Sequence, residues 1–168
     1  EVGDDATVIN ADKEAVAKAI TAEAVKTAGY DDVAAAAEDG TAFVFMGHGT
    51  AHVAKVSYSQ MQTTMETLGY TNVFIGTVEG EPEDTSCEAV IEKVKEAGFT
   101  KVVLRPLMVV AGDHANNDMY GDEEDSWKSM IEKMGVKTVG HLQGIGRNAA
   151  VQAIYVQHAV AAEAGVQR

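Results

Sequence analysis

The fold of this chain is decided by the stretch Phe43-Val44-Phe45-Met46-Gly47-His48-Gly49-Thr50. A short run of Val and Phe is typical of a buried β-strand, and the glycines after it indicate a turn. A second apolar run, 102–110, leads in the same way into Ala111-Gly112-Asp113-His114. Ligands bind at the carboxyl ends of the strands in an open parallel sheet. Both histidines are therefore predicted to lie at the functional edge of an α/β fold.

The composition fits a single folded domain with an acidic surface. The chain has 168 residues, is 46% hydrophobic and carries a formal net charge of -13. This charge argues against a nucleic acid or an anionic membrane as partner, because phosphate binding needs a clustered basic surface. It is compatible with attraction of divalent cations, although an acidic balance more often reflects only solubility.

Cysteine usage and hydropathy bear on the compartment. Cys87 is the one cysteine of the chain, which excludes an intrachain disulfide and a CxxC metal site. No apolar stretch reaches the roughly 18 residues of a membrane span, and no signal peptide is visible. The chain begins at Glu1 rather than Met, which indicates that a signal peptide, a tag or a preceding segment was removed. We expect a cytoplasmic protein, or a periplasmic one if a signal peptide was removed.

Strands alternate with helices from residue 41 onward. The pattern predicts strands over 43–46, 72–76, 101–110 and 136–139, and helices over 52–68, 84–97, 123–134 and 148–162. A further helix over 12–28 and a connection over 31–41 precede them. The alternation predicts a four-stranded parallel sheet flanked by helices. We expect 1–40 to form an N-terminal helix and connector, packed against a missing neighbour or a second copy, and 41–168 to form the α/β domain.

Three potential metal ligands follow three successive predicted strands. They are His48, Glu79 and His114. If the strands are adjacent and parallel, their carboxyl ends lie about 5 Å apart, so the three side chains can converge. Two imidazoles and a carboxylate suit zinc, cobalt, nickel or ferrous iron and leave positions open for a substrate. Taken singly, a histidine after a strand is more often a hydrogen-bonded structural residue, and a glutamate such as Glu79 is more often a solvated loop carboxylate.

Glycines and polar residues surround these candidate ligands. Gly47 and Gly49 flank His48 and would let a bulky ligand approach the backbone closely. His52 either lines the same pocket or lies on the surface of the following helix. Four polar residues near His114 are candidates to orient the imidazoles or to contact the ligand: Asp113, Asn116, Asn117 and Asp118. The alternative is ordinary loop structure, because Asn, Asp and Gly are turn formers.

A glycine motif near the C-terminus is out of context for nucleotide binding. The segment Gly144-Ile145-Gly146-Arg147-Asn148-Ala149 matches GxGxxA before a helix. It follows the last predicted strand instead of opening a first βαβ unit, and no later strand carries an acid. The P-loop, HExxH and GxSxG motifs are absent from the sequence. We therefore expect a tight turn here and no nucleotide cofactor.

Several motifs are recognisable together and in order between about residues 40 and 160. They are Met46-Gly47-His48-Gly49-Thr50, Val78-Glu79, the segment 106–119, Asp125-Ser126-Trp127-Lys128 and the segment 142–148. In this combination the sequence resembles the anaerobic sirohydrochlorin cobaltochelatases, class II chelatases related in fold to ferrochelatase. The resemblance implies a chelatase-like domain over 41–168 that inserts Co(II) into a sirohydrochlorin-type tetrapyrrole in cobalamin synthesis, without ATP.

The resemblance also implies site residues and partners. The family's metal ligands fall on His48, Glu79 and His114, which then serve catalysis as well. Ni(II) or Fe(II) are alternatives to Co(II), since the same donors suit all three ions. Lys55 or Arg105 are candidates to offset the charge of the substrate's carboxylates.

The chain resembles mainly the second of the two similar domains that such chelatases have. We therefore expect the tetrapyrrole cleft to be completed by a second copy in a homo-oligomer or by a separate N-terminal chelatase domain. A metal- or haem-binding carrier without turnover is the competing interpretation. A structural fragment whose histidines are only packed is a third.

Overall fold

The computed structural model describes residues 4–166 and places four parallel strands in one sheet. They are β1 (Thr41–Gly47), β2 (Val73–Thr77), β3 (Lys101–Pro106) and β4 (Lys137–Gly140). Their order is β2-β1-β3-β4. The predicted α/β class with a four-stranded parallel sheet is confirmed. All of β1 is buried, as expected for a Val- and Phe-rich strand covered on both faces.

Six α-helices flank the sheet in the described part of the chain. They are α1 (Ala11–Ala28), α2 (Val33–Glu38), α3 (Val56–Thr67), α4 (Cys87–Glu96), α5 (Trp127–Lys133) and α6 (Ala149–Val166). At five of their N-termini a side-chain oxygen accepts a backbone N–H, and the capping residues are Asn10, Asp32, Ser86, Ser126 and Asn148. None of the helices within 4–166 combines the length and the apolar character needed to cross a bilayer.

The two faces of the sheet pack against different helices. On one face Val44 and Leu104 lie in a core with buried residues of α4 and α5, among them Val90, Ile91, Val94, Trp127 and Ile131. On the other face Phe43, Phe45 and Val103 lie in a core with buried residues of α1, α3 and α6, among them Ile20, Ala24, Met61, Met65 and Val151. Both faces of the central strands are therefore covered by helices. The predicted site residues follow the carboxyl ends of the strands, so the carboxyl edge is the part of the sheet to consider next.

Helix α1 packs on the sheet of its own chain. Ala17, Ile20 and Ala24 are at most 1% exposed and belong to the same core as Phe43 and Phe45. The expectation that this helix would need a missing neighbour or a second copy is therefore wrong. Its apolar stripe instead covers a sheet face that would otherwise meet water.

Several predicted boundaries are also wrong, and one of them matters for the site. The third strand ends at Pro106 rather than at residue 110, since Pro cannot donate to the ladder, and Val109 and Val110 are exposed. Helices predicted to begin at 84 and 123 begin at Cys87 and Trp127 instead, because Ser86 and Ser126 are the N-caps. The connection over 31–41 contains α2, and a 3₁₀ turn (Val53–Lys55) precedes α3.

Candidate metal site at the carboxyl edge of the sheet

The sheet order brings the ends of three strands side by side. β1 pairs with β2 through Gly47 and Thr77 and with β3 through Met46 and Pro106, all in parallel. The Glu79 N–H donates to the carbonyl of His48 at 2.9 Å, which ties the segment after β2 to the end of β1. The predicted convergence of strand ends at one edge therefore holds for the backbone that carries His48 and Glu79.

His48 lies directly after β1, and half of its side chain is exposed. Its Nδ1 is 3.0 Å from the carbonyl oxygen of Gly49, and its Nε2 is 3.9 Å from Oε1 of Glu79. The side chain of Glu79 is similarly exposed, at 52%. An imidazole and a carboxylate thus face each other at an edge open to solvent.

His114 opens a short π-helical segment, His114–Met119, after the loop that leaves β3. Its Nδ1 is 2.5 Å from Oδ2 of Asp118, four residues later on the same segment. The centroids of the His48 and His114 rings are 4.6 Å apart, with the ring planes at 82°. The two predicted imidazoles therefore contact each other edge to face.

The hydrogen bonds fix which nitrogen of each ring carries a proton in the neutral form. A carbonyl oxygen and a carboxylate oxygen only accept hydrogen bonds, so Nδ1 of each ring must be the donor. The lone pair is then on Nε2 in both His48 and His114, the atom that a metal ion or a proton would take. A carboxylate behind a metal-binding imidazole fixes the orientation of the ring, and His114 has this partner in Asp118.

The glycines around His48 are required by close packing. Gly49 has φ +92°, a left-handed conformation, and a Cβ added there would lie 2.8 Å from Cβ of Glu79. A Cβ added at Gly47 would overlap the ring of Tyr58, whose hydroxyl accepts the Gly49 N–H at 3.1 Å. Sequence reasoning missed Tyr58, since nothing in the helical pattern of α3 distinguishes a ring that faces the turn.

The other predicted contacts lie around this cluster in less specific positions. His52 is exposed, and its Nδ1 accepts the Ala54 N–H at 3.1 Å, which caps the 3₁₀ turn. Asn116 is exposed, and its Nδ2 donates to the carbonyl of Gly112 at 2.8 Å. Asn117 is exposed, and its carbonyl accepts the N–H of Gly121 at 2.9 Å. Of the four polar residues predicted near His114, Asp118 is the one that contacts its ring.

The three side chains are adjacent but not closed around one point. Among residues 4–166, no three His, Cys, Asp or Glu side chains are arranged as a ready-made metal site. His48 contacts both other members, through the 3.9 Å approach to Glu79 and the ring contact with His114. All three side chains are between 44% and 52% exposed. Rotation of surface side chains between rotamers is therefore what a common metal ion would require.

The basic residues expected near the substrate are engaged elsewhere. Nζ of Lys55 is 2.7 Å from Oε2 of Glu81. Arg105 is 4% exposed, and its Nη2 is 3.0 Å from Oε2 of Glu23 on α1, while its Nη1 is buried without a hydrogen-bond partner. Burial lowers the pKa of Arg105, and the charge of Glu23 opposes that shift. Arg105 is therefore a core residue rather than a surface base.

Three other titratable groups, Cys87, His141 and His158, lie outside the cluster of His48, Glu79 and His114. Burial, with a smaller contribution from Glu88, raises the pKa of the Cys87 thiol to about 12, so this thiol is structural and unreactive. Burial, with a smaller contribution from Arg105, lowers the pKa of His141. His158 is exposed on α6 and lies 2.9 Å from Asp12. None of these groups belongs to the cluster at the carboxyl edge.

Comparison with known proteins identifies the family of this chain. A family model described as cobalt chelatase (CbiK) matches residues 14–163. The chain belongs to the cobalt chelatase family. A sirohydrochlorin cobaltochelatase of Salmonella typhimurium is 40% identical over 115 residues, 68% of this chain and 42% of that protein. The sirohydrochlorin cobaltochelatase CbiKC of Nitratidesulfovibrio vulgaris is 34% identical over 121 residues, 72% of this chain and 42% of that protein.

These cobalt chelatase relatives are longer than the region they share with the chain. The chain matches 42% of the length of each of the two. The family match itself includes β1, the loop with His48, the segment after β2 and the π-helical segment with His114. The whole candidate cluster thus lies inside the matched region.

Proposed function

We propose that this chain inserts Co(II) into a sirohydrochlorin-type tetrapyrrole, without ATP, as a step of cobalamin biosynthesis. The observation that carries the proposal is the meeting of His48, Glu79 and His114 at one sheet edge in a chain of the cobalt chelatase family. Insertion of a metal ion into a ring classes the enzyme as a lyase. The expected compartment is the cytoplasm, with the periplasm as the alternative.

In this proposal Co(II) is a substrate that the cluster holds only briefly. The donors are Nε2 of His48, Nε2 of His114 and the carboxylate of Glu79. Two imidazoles and a carboxylate suit Co(II), Ni(II) and Fe(II), so the latter two are competing metals. Half-exposed side chains that must rotate to meet the ion favour weak binding, and weak binding is what delivery to a ring requires.

The same residues accept the protons that the tetrapyrrole loses. Metal insertion replaces two pyrrole N–H protons, and these protons need an acceptor near neutral pH. Neutral imidazole is the side chain suited to that task, and each Nε2 lone pair becomes available for a proton once the ion has passed to the nitrogens of the tetrapyrrole. Asp118 stabilises His114 once it is protonated, because the carboxylate accepts its Nδ1–H. Glu79 balances the charge of the metal ion beside His48.

The tetrapyrrole would lie across the carboxyl edge of the sheet, over His48, Glu79 and His114. The turn of Gly47 and Gly49 and the side chains of His52, Asn116 and Asn117 are proposed contacts for it. A tetrapyrrole has two faces, so a second wall is needed opposite this edge. We propose that a second copy of the chain or a separate N-terminal chelatase domain supplies that wall.

The test is anaerobic insertion of Co(II) into sirohydrochlorin, followed by absorbance, with the 168-residue chain at a measured oligomeric state. Several turnovers per site are expected, from the chain alone or after addition of a separately expressed N-terminal chelatase domain. His158→Ala, on an exposed part of α6, serves as the matched control for histidine replacement. At most one metallated ring per site under both conditions would contradict the proposal and would identify a carrier.

A further inference from the structure

A groove with exposed apolar side chains lies at the carboxyl edge of the sheet, where the candidate site also lies. The segment that leaves β3 after Pro106 forms one wall, and the turn after β4 forms the other. The lining residues are Val109, Val110, Ala111, Leu142, Gln143 and Arg147. Val109, Val110 and Leu142 are 52%, 74% and 43% exposed. Large apolar side chains exposed together next to a site are typical of a ligand-contact surface.

The two walls of this groove are held together by their backbones. The Ile145 N–H donates to the carbonyl of Met108 at 2.8 Å, and the Gly146 N–H donates to the carbonyl of Val109 at 3.0 Å. A Cβ added at Gly144 or Gly146 would come within 2.5 or 2.7 Å of that Val109 carbonyl oxygen. The glycine pattern before α6 therefore serves the close packing of this turn on the segment after β3. The groove is built into the fold before any ligand arrives.

One end of the groove carries an unpaired positive charge. Arg147 is exposed, and within residues 4–166 its side chain makes no ion pair or hydrogen bond. The other two bases considered near this edge, Lys55 and Arg105, are paired with Glu81 and Glu23. In a chain with a net charge of -13, an unpaired guanidinium beside exposed apolar side chains has a specific complement. That complement is a ligand with an apolar body and an anionic rim.

We propose that the groove binds the periphery of the tetrapyrrole, with Arg147 paired to one of its carboxylates. This inference rests on the proposed function and assigns a contact surface to its organic substrate. Val110 and His114 lie in the same segment after β3, so the groove and the candidate metal site share this segment. Val110 and Leu142 contact the apolar face of the macrocycle, and Arg147 selects rings that carry an acidic substituent at the adjacent rim. A second copy of the chain or another chelatase domain is the competing occupant.

The charge is tested by tetrapyrrole binding without cobalt. Sirohydrochlorin and a fully amidated derivative, which lacks the anionic charge, are titrated into the full chain and followed by fluorescence. Arg147→Gln is expected to weaken sirohydrochlorin binding about five-fold and to leave binding of the amide unchanged. Lys137→Gln is the matched control, because Lys137 is exposed at the opposite edge of the sheet and removes the same charge. Equal loss for acid and amide, or equal loss in the control, would overturn the assignment.

The apolar wall is tested with a second pair of variants. Val110→Ser is expected to weaken acid and amide alike by about three-fold, because it removes apolar contact rather than charge. Val160→Ser, on the exposed surface of α6, is expected to change neither. Molar mass by light scattering is measured on every variant. A loss of oligomer mass with unchanged tetrapyrrole affinity would show that the groove is a protein interface and would overturn the proposal.

The two proposals fail in distinguishable ways. If the chain binds sirohydrochlorin with the Arg147 dependence but inserts no cobalt, the groove assignment stands and the proposed insertion fails. If insertion proceeds and Arg147→Gln binds sirohydrochlorin like the control, the insertion stands and the groove assignment is wrong. Absence of any tetrapyrrole binding to the unmodified chain would contradict the groove directly.

Discussion

The loops after β1 and after β3 bring an imidazole to the same edge by different means. After β1 the turn is short, and its shape depends on Gly49 at φ +92° and on Tyr58. His48 is oriented by the carbonyl of the next residue. After β3 the loop is long and leads through exposed valines into a π-helical segment, where Asp118 orients His114. One imidazole is thus fixed by the backbone and the other by a carboxylate.

This difference indicates that the imidazoles of His48 and His114 have different roles. The carboxylate of Asp118 orients the ring of His114 through a charged hydrogen bond. His48 has no such anion on Nδ1, but its position against Glu79 is set by close glycine packing. We expect His48 to be the more firmly placed metal ligand, and His114 to be the ligand that releases the ion first and then accepts a proton from the tetrapyrrole.

The largest effect is expected from removing either imidazole. His48→Ala and His114→Ala should each lower Co(II) insertion by about 10²- to 10⁴-fold, the range for loss of a group that transfers protons or holds the reacting ion. Steady-state insertion at saturating Co(II) and sirohydrochlorin measures this. His158→Ala should stay within about two-fold of the unmodified chain. Near-normal turnover in either variant would show that the replaced histidine is not needed for insertion.

The backbone-fixed side of the comparison is tested with glycines. Gly49→Ala and Gly29→Ala both place a Cβ at positive φ, which costs about 1–2 kcal/mol of stability. A Cβ at position 49 also displaces Glu79, whereas nothing lies within 4 Å at position 29. Insertion should therefore fall about 100-fold in Gly49→Ala alone, since small misplacements at a site carry that cost.

Thermal unfolding and insertion measured on both glycine variants separate strain from geometry. Equal insertion rates per folded molecule in the two variants would show that the Gly49 packing does not position the site.

The carboxylate-fixed side is tested at Asp118. Asp118→Asn keeps the shape but removes the charge behind His114, so Co(II) affinity and insertion should fall about ten-fold. Asp113→Asn, an exposed acid one residue before His114, removes the same charge without contacting the ring. Calorimetric titration with Co(II) compares the two variants. Equal losses would mean that the general negative field, rather than the Asp118 hydrogen bond, matters at this edge.

The smallest effect is expected at Asn116. Its side chain is exposed and already donates to the carbonyl of Gly112, so it contributes to ligand binding only marginally. Asn116→Ala should weaken tetrapyrrole affinity by about two-fold, with Gln157→Ala on exposed α6 as the control. A loss larger than that of Asp118→Asn would reverse the relative importance of the two halves of this loop.

Local pattern predicted the sheet well and its margins poorly. The strand at 43–46 is buried on both faces, so its composition alone identifies it. The apolar run through Val110 was predicted to be strand to its end, but Val109 and Val110 are exposed in the loop after β3. Apolar composition alone did not distinguish this loop from a buried strand. Helix α1 was misplaced because periodicity gives an apolar stripe but not the surface that covers it. Such partners are set by tertiary packing, which no single segment encodes.

The candidate site was predictable where it depends on topology. Adjacent parallel strands place their ends together, so His48 and Glu79 could be paired from strand order. Side-chain partners were harder, because four polar residues near His114 are equivalent in sequence and only the π-helical geometry selects Asp118. Lys55 and Arg105 were plausible surface bases until their acidic partners were known.

The most direct test of the central claim is the coordination of bound Co(II). X-ray absorption on the anaerobic chain loaded with one equivalent of Co(II) is predicted to show two imidazole ligands with oxygen donors. The imidazole contribution should fall to one in His114→Ala and likewise in His48→Ala. An identical spectrum in the unmodified chain and both variants would mean that Co(II) binds elsewhere, and the assignment of this edge as the metal site would be wrong.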